Sequence, residues 1–171
     1  MYMNELKIPK ERIAVLIGKK GQDKKNIEKI TNTKIKVSKE GDVEITADDN
    51  FNIFLTSNII KAIARGFNPE VALTLLNEDN YLEIINMQEE IGKSKKKLIR
   101  MKARVIGTNG KAKYMVEKMT NTNISVYGKT IAIIGKSENV LIAKQALQKI
   151  LQGSMHGNVY KFVENQKHKF K

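Results

Sequence analysis

Two pairs of glycines stand three residues apart in this chain, in Gly18-Lys19-Lys20-Gly21 and in Gly107-Thr108-Asn109-Gly110; no others among its 11 glycines do. The chemistry such a spacing permits is anion capture. Glycine at both ends lets a loop turn tightly and brings a phosphate close to the main chain with no Cβ in the way. A helix beginning directly after the loop adds free N–H groups and a favourable dipole. Basic residues surround both loops. Lys24 follows the first, while Lys111 and Lys113 follow the second. Lys93, Lys95, Lys96, Lys97, Arg100, Lys102 and Arg104 precede the second.

One such glycine pair is weak evidence, but here the pair belongs to a longer repeat. At an offset of 89, residues 17–37 (IGKKGQDKKNIEKITNTKIKV) and 106–126 (IGTNGKAKYMVEKMTNTNISV) agree at 11 of 21 positions. Chance does not produce this. The chain is two copies of one unit.

The elements around the loops can be read from periodicity. In the first copy Leu6 and Ile8 alternate as in a short strand, and 11–17 forms a helical face through Ile13, Leu16 and Ile17. After the loop a helix over 22–31 is expected to bury Ile27 and Ile30. A hairpin follows, with Ile35 and Val37 on one strand, Val43 and Ile45 on the other, and a turn at 40–42. Asp48 or Asp49 can cap a long helix through Phe51, Leu55, Ile59 and Ile63, stopped by Gly66. Asn68-Pro69 starts a further short helix to about Leu76. The second copy repeats the order. It has a strand over 81–87 and a helix over 94–106 with Leu98, Met101 and Val105 on one side. The loop and a helix to about Thr120 come next, then strands over 123–127 and 130–134. A final helix over 138–151 is expected to be capped by Ser137.

Composition narrows the class. At 41% hydrophobic and 29% charged residues the chain is ordinary globular material. Its apolar runs are far shorter than the roughly 20 residues a membrane span needs. The start MYMNELKIPK lacks the apolar core of a signal peptide, so the cytoplasm is expected. With no cysteine and both histidines near the end, no catalytic constellation, metal site or cofactor motif emerges, and none is expected. The net charge of +13 is unevenly spread: residues 1–88 hold 13 basic and 13 acidic residues, and 89–171 hold 18 and 5. Such asymmetry suggests a polyanion partner, nucleic acid foremost, with a lysine-rich solvated surface as the alternative.

IGKKG and IGTNG, set in this order of elements, resemble two type I KH domains, in which the hairpin follows the glycine loop. The resemblance implies an α+β fold: two tandem β-α-α-β-β-α units, each a three-stranded antiparallel sheet packed on three helices. With no Gly/Ser linker the two are expected to pack together. The expected divisions are 1–67 for the first domain, 68–79 for a connecting helix, 80–153 for the second domain and 154–171 for a basic tail, mobile or ordered by a partner. IPKERIAVLIGKKG at 8–21 and LQGSMHGNVYKFVE at 151–164 look more closely like the archaeal ribosome-biogenesis KH proteins of the Dim-two or partner-of-Nob group, related to the Krr-type processing factors. That likeness implies binding of single-stranded small-subunit ribosomal RNA near its 3′ end. It also implies contact with a maturation nuclease or with the alpha subunit of archaeal initiation factor two.

The resemblance carries the RNA site onto Gly18, Lys19, Lys20, Gly21 and Lys24 in the first copy. In the second it falls on Gly107, Thr108, Asn109, Gly110, Lys111 and Lys113, with Arg100 and Arg104 from the basic run. Many KH modules have an apolar residue where this chain has Lys24 and Lys113, and a basic pair where it has Thr108-Asn109. The first loop is basic in a neutral half, and the second is neutral in a basic half. Because long-range attraction depends on the whole field, the second domain is expected to be the principal RNA site, with the first loop as an auxiliary clamp or a protein-docking unit. The run before it can also be read as the solvated face of an amphipathic helix. Ile17, Ile27, Ile35 and Val37, with Ile106, Val116, Ile124 and Val126, are either groove or core. A second function from a different class is an adaptor in translation initiation, with RNA binding secondary.

Overall fold

The structure, a computed structural model, describes residues 1–169 and divides into two compact units, Met1–Asn77 and Glu78–Lys171. In the first unit, strand β1 (Tyr2–Lys7) leads through a tight helical turn to α1 (Ile13–Ile17). The glycine loop joins α1 to α2 (Gln22–Thr31), and β2 (Lys34–Val37) and β3 (Asp42–Ala47) form the hairpin. Helices α3 (Asn50–Ala64) and α4 (Pro69–Ala72) follow. The sheet is antiparallel in the order β1-β3-β2, so the last strand lies in the middle. Alternation sets its faces: Val43, Ile45 and Ala47 are buried while Asp42 is exposed.

The second unit repeats the plan. It runs through β4 (Asn80–Asn86), α5 (Met87–Ile91), α6 (Lys95–Ile106), the second loop and α7 (Lys111–Thr120). Strands β5 (Asn123–Tyr127) and β6 (Thr130–Lys136), then α8 (Ser137–Leu151) and α9 (His156–Lys169), complete it. The sheet order is β4-β6-β5. Central β6 is buried from residue 131 to 135, and Ile131 and Ile133 belong to the core of this unit. The order of elements read from the sequence holds in both units. No described helix is long and apolar enough to cross a membrane.

The most repetitive part of the sequence, Thr-Asn-Thr, is a helix terminator. Asn32 and Asn121 adopt left-handed backbone, φ 54° and 52°, and end α2 and α7. Asn tolerates that conformation better than any other residue with a Cβ. The threonines on either side pair their hydroxyls, Thr31 with Thr33 and Thr120 with Thr122, each at 2.8 Å. Thr31 and Thr120 also bond the Ile27 and Val116 carbonyls at 2.6 Å. This satisfies hydroxyls that are almost wholly removed from water.

A second repeated device ties helix to strand. Glu28 accepts the Ile35 N–H at 2.9 Å and Glu117 accepts the Ile124 N–H at 3.0 Å, each satisfying a donor on an edge strand. Lysine one turn earlier pairs with the other carboxylate oxygen: Lys24 with Glu28 at 3.1 Å and Lys113 with Glu117 at 3.0 Å.

Five local expectations change. Ile30 is exposed, because Ile27 alone of the two points inward from a ten-residue helix. Phe51 is exposed as well, since α3 buries the stripe through Ile53, Ile59, Ile60 and Ile63. Ser137 is the first residue of α8 and makes no capping bond, the capping position being Lys136. The short α5, capped by Asn86, was not expected; it carries Met87 and Ile91 into the core. The segment expected as a basic tail is α9, held to the core by Val159 and Val163, one turn apart and with no exposed surface. Phe162 lies beneath the Lys149 ammonium, 4.6 Å from its ring centre. Lys171, the last residue of that segment, lies outside the described residues.

The helix-to-strand tie yields a stability prediction. Glu117→Ala leaves the half-buried Ile124 N–H without its acceptor and should destabilise unit two by about 2 kcal/mol in denaturant unfolding. Glu117→Gln keeps an acceptor and loses only a partly exposed ion pair, so it should cost less than about 1 kcal/mol. Equal losses in the two variants would refute this reading.

Candidate nucleic-acid interface

The two glycine loops are superposable in backbone. Gly18 and Gly107 have φ 74° and 76°, Lys20 and Asn109 have φ 56° and 55°, and Gly21 and Gly110 have φ 74° and 75°. Three residues of positive φ in four, the first extended in ψ and the other two left-handed, turn the chain sharply between α1 and α2, and between α6 and α7. Asn109 suits its place, because its short polar side chain tolerates this conformation. Lys20 holds the same conformation with less intrinsic preference for it. The neutral centre of the second loop therefore has a backbone reason.

What covers the loops differs. A Cβ placed on Gly18 would lie 2.1 Å from Asp23 Oδ2, so the Asp23 carboxylate sits directly over the first loop. A Cβ on Gly107 would instead lie 2.7 Å from the Cβ and backbone nitrogen of Ala112, a buried apolar residue. Asp23 and Ala112 are equivalent positions of the repeat. A carboxylate on the first loop opposes the approach of a phosphate; at the second loop its place is taken by a methyl group. Neither pattern nor spacing marked Asp23 out, because only the fold brings it back over Gly18.

The aliphatic residues left open as groove or core divide the same way in both units. Ile27, Ile35, Val116 and Ile124 are buried and belong to the core. Ile17, Val37, Ile106 and Val126 are partly exposed and remain available to a ligand. Each unit thus offers one such residue at the end of the helix before the loop and one on the edge strand.

The charged candidates separate into two groups. Lys19, Lys20, Arg100 and Lys111 are exposed, as are Thr108 and Asn109. Lys24, Lys113 and Arg104 are committed internally. Lys24 donates to Glu28 and to the Ile35 carbonyl at 2.9 Å, and Lys113 pairs with Glu117. The Arg104 guanidinium donates to the Ile150 carbonyl in the last turn of α8, where a cation meets the negative end of the helix dipole, and to the Ser154 carbonyl just beyond it. Arg12 does the same in unit one, bonding the Ile63 and Phe67 carbonyls at 2.8 Å. The unit charges remain unequal: 13 basic against 10 acidic residues in Met1–Asn77, and 18 against 8 in Glu78–Lys171.

His156 and Tyr160 stand beside the second loop, although the sequence placed them in a tail. With Arg100, Ala103, Arg104, Gly107, Thr108, Lys111 and Ala112 they line a cleft of about 560 Å³. His156 donates its Nε2–H to the Arg104 carbonyl at 2.8 Å. Burial pushes the Tyr160 phenol above its usual pKa.

Comparison with known proteins agrees with this architecture. The KH domain family model matches residues 4–65. The model of the second KH domain of PNO1, a eukaryotic-type KH-domain (KH-domain type I), matches residues 81–168. A KH domain-containing protein of Methanocaldococcus jannaschii is 44% identical over 170 residues, 97% of this chain and 74% of that protein. The pre-rRNA-processing protein PNO1 of Coccidioides immitis is 31% identical over 104 residues, so the match spans 60% of this chain but only 41% of that relative. Among solved structures, a chain in the crystal structure of an a/eIF2alpha–aDim2p–rRNA complex from Pyrococcus horikoshii matches with a TM-score of 0.92 and 47% identity, covering 98% of this chain and 95% of that one. The chain consists of two tandem KH domains and belongs to the archaeal Dim2/PNO1 family.

Proposed function

We propose that this protein binds single-stranded RNA in ribosomal RNA processing, gripping small-subunit ribosomal RNA near its 3′ end with unit two as the principal site. It acts in the cytoplasm as a binding protein that presents RNA to other factors, a maturation nuclease among them, and performs no chemistry itself. The observation that carries the ranking of the units is the Asp23 carboxylate over Gly18, against the apolar Ala112 at Gly107. The charge balance supports the same ranking, because attraction and counterion release follow the whole field of a unit. The similar aDim2p chain crystallised in a complex that contains rRNA, and the eukaryotic relatives are pre-rRNA-processing proteins, which supports the choice of RNA.

A second role is supported by a separate surface. Phe51 and Phe54, one turn apart on α3, are 60% and 63% exposed in the less basic unit. Paired exposed aromatics are a common anchor for protein partners. The complex with the similar aDim2p chain also contains a/eIF2alpha. We assign this face of unit one to the alpha subunit of archaeal initiation factor two.

Both assignments can be measured. Thr108→Asp with Asn109→Asp should weaken RNA binding at fixed salt by about tenfold or more, equivalent to at least about 1.4 kcal/mol. Lys19→Asp with Lys20→Asp should weaken it by less than about threefold. The reverse order would transfer the principal site to unit one. Phe51→Ser with Phe54→Ser should abolish capture of the initiation factor subunit from RNase-treated mixtures and leave RNA affinity unchanged. Undiminished capture would remove that face from consideration.

A further inference from the structure

Unit two carries a wall that unit one does not possess. After α3 the first unit continues only into the four-residue α4 and a tight turn, whereas α8 is followed by the 14-residue α9. Across the resulting cleft, α6 presents Arg100, Ala103, Arg104 and Gly107 on one stripe, and α9 presents His156 and Tyr160 on another. Lys111, opening α7, closes the end beside Thr108. The volume, about 560 Å³, falls within the usual range for small organic ligands.

The walls are held in place before any ligand arrives. The bond from His156 to the Arg104 carbonyl joins α9 to α6, and the Arg104 guanidinium joins α6 to the end of α8. Val159 and Val163 fix the opposite face of α9 in the core. A cleft built this way loses little freedom on binding.

Its chemistry is mixed in a particular sense. One wall is aromatic: the His156 and Tyr160 rings lie 6.4 Å apart, tilted by 40°. The mouth carries exposed cations, Arg100 and Lys111, and no carboxylate lines the cleft. Aromatic faces suit a planar base, and cations suit the phosphate attached to it. The raised Tyr160 phenol stays a neutral hydroxyl at physiological pH, able to donate or accept a hydrogen bond.

We propose that this cleft receives one unpaired nucleotide adjoining the segment gripped at 107–110, its base against Tyr160 and His156 and its phosphate beside Arg100 and Lys111. The proposal rests on the RNA-binding reading and adds to it a base pocket outside the groove between Ile106 and Val126.

The test uses the full chain and short single-stranded RNAs. A core oligonucleotide of about four nucleotides, the length a glycine loop clamps, is compared with versions extended by one nucleotide at either end. One extension should raise affinity about tenfold, in keeping with base–aromatic stacking, and an abasic extension should recover only a minor part of that gain. Tyr160→Ala should lose the gain while still binding the core. Ala103→Leu fills the cleft from an exposed position without removing a packed side chain and should lose it too, with an unchanged thermal midpoint. If both variants gain as much from the extension as the unaltered chain, or if the abasic extension gains fully, the pocket is refuted. If Thr108→Asp with Asn109→Asp leaves binding of the core oligonucleotide intact, the parent RNA-binding reading fails and the pocket falls with it.

Discussion

The geometry of each unit depends on one carboxylate. Glu28 and Glu117 reach from the second helix to the first free N–H of the edge strand, at 2.9 and 3.0 Å. The partly exposed aliphatic residues that can meet a ligand lie on opposite sides of that tie: Ile17 and Ile106 before the loop, Val37 and Val126 on the strand. The tie holds the second helix to the strand that carries one of each pair before any ligand arrives. The paired lysine, Lys24 or Lys113, orients the carboxylate. It also explains why a charged residue can stand where an apolar one would serve packing alone.

The repeat acts as an internal control. Backbone angles of the two loops agree to within a few degrees, as do the Thr-Asn-Thr terminators and the Lys–Glu ties. What distinguishes the copies is confined to what surrounds that shared scaffold. Asp23 has become Ala112, the loop centre has lost two ammonium groups, and a helix has been added after α8. These substitutions exchange local charge at one loop for a broad field and an extra wall at the other. Arg12 and Arg104 show how permissive the scaffold is. The same task, binding carbonyls at and just beyond the end of a long helix, is done by Arg12 from the turn before α1 and by Arg104 from within α6.

Much of this was legible in the sequence, because the repeat reported its own boundaries. The order of strands and helices, both loops and the edges of α2, α6 and α7 followed from periodicity and glycine spacing. The rest was hidden for physical reasons. In α9 two valines one turn apart lie among lysines, histidines and a glycine, so composition suggested a basic tail, while the buried valines, the partly buried Tyr160 and Phe162 and the His156 bond dock it. The five residues of α5 are too few to display a period. Asp23 over Gly18 depends on a reversal of the chain, which no linear pattern expresses. The commitment of Lys24 and Lys113 was half visible: their spacing to Glu28 and Glu117 can be read directly, but the strand N–H that completes the arrangement comes from the fold.

The hydroxyl pairs that close α2 and α7 carry one more implication. Among the described residues the buried polar side chains are Thr31, Thr33, Thr56, Ser57, Thr120 and Thr122. None of them gains or loses a charge at any pH a cell experiences, and among the described residues no buried side-chain nitrogen or oxygen lacks a partner. Among the described residues, proton uptake can then alter folding only through groups that water already reaches. The interior is electrically silent, and acidity acts on this protein at its surface, where its charges face the outside.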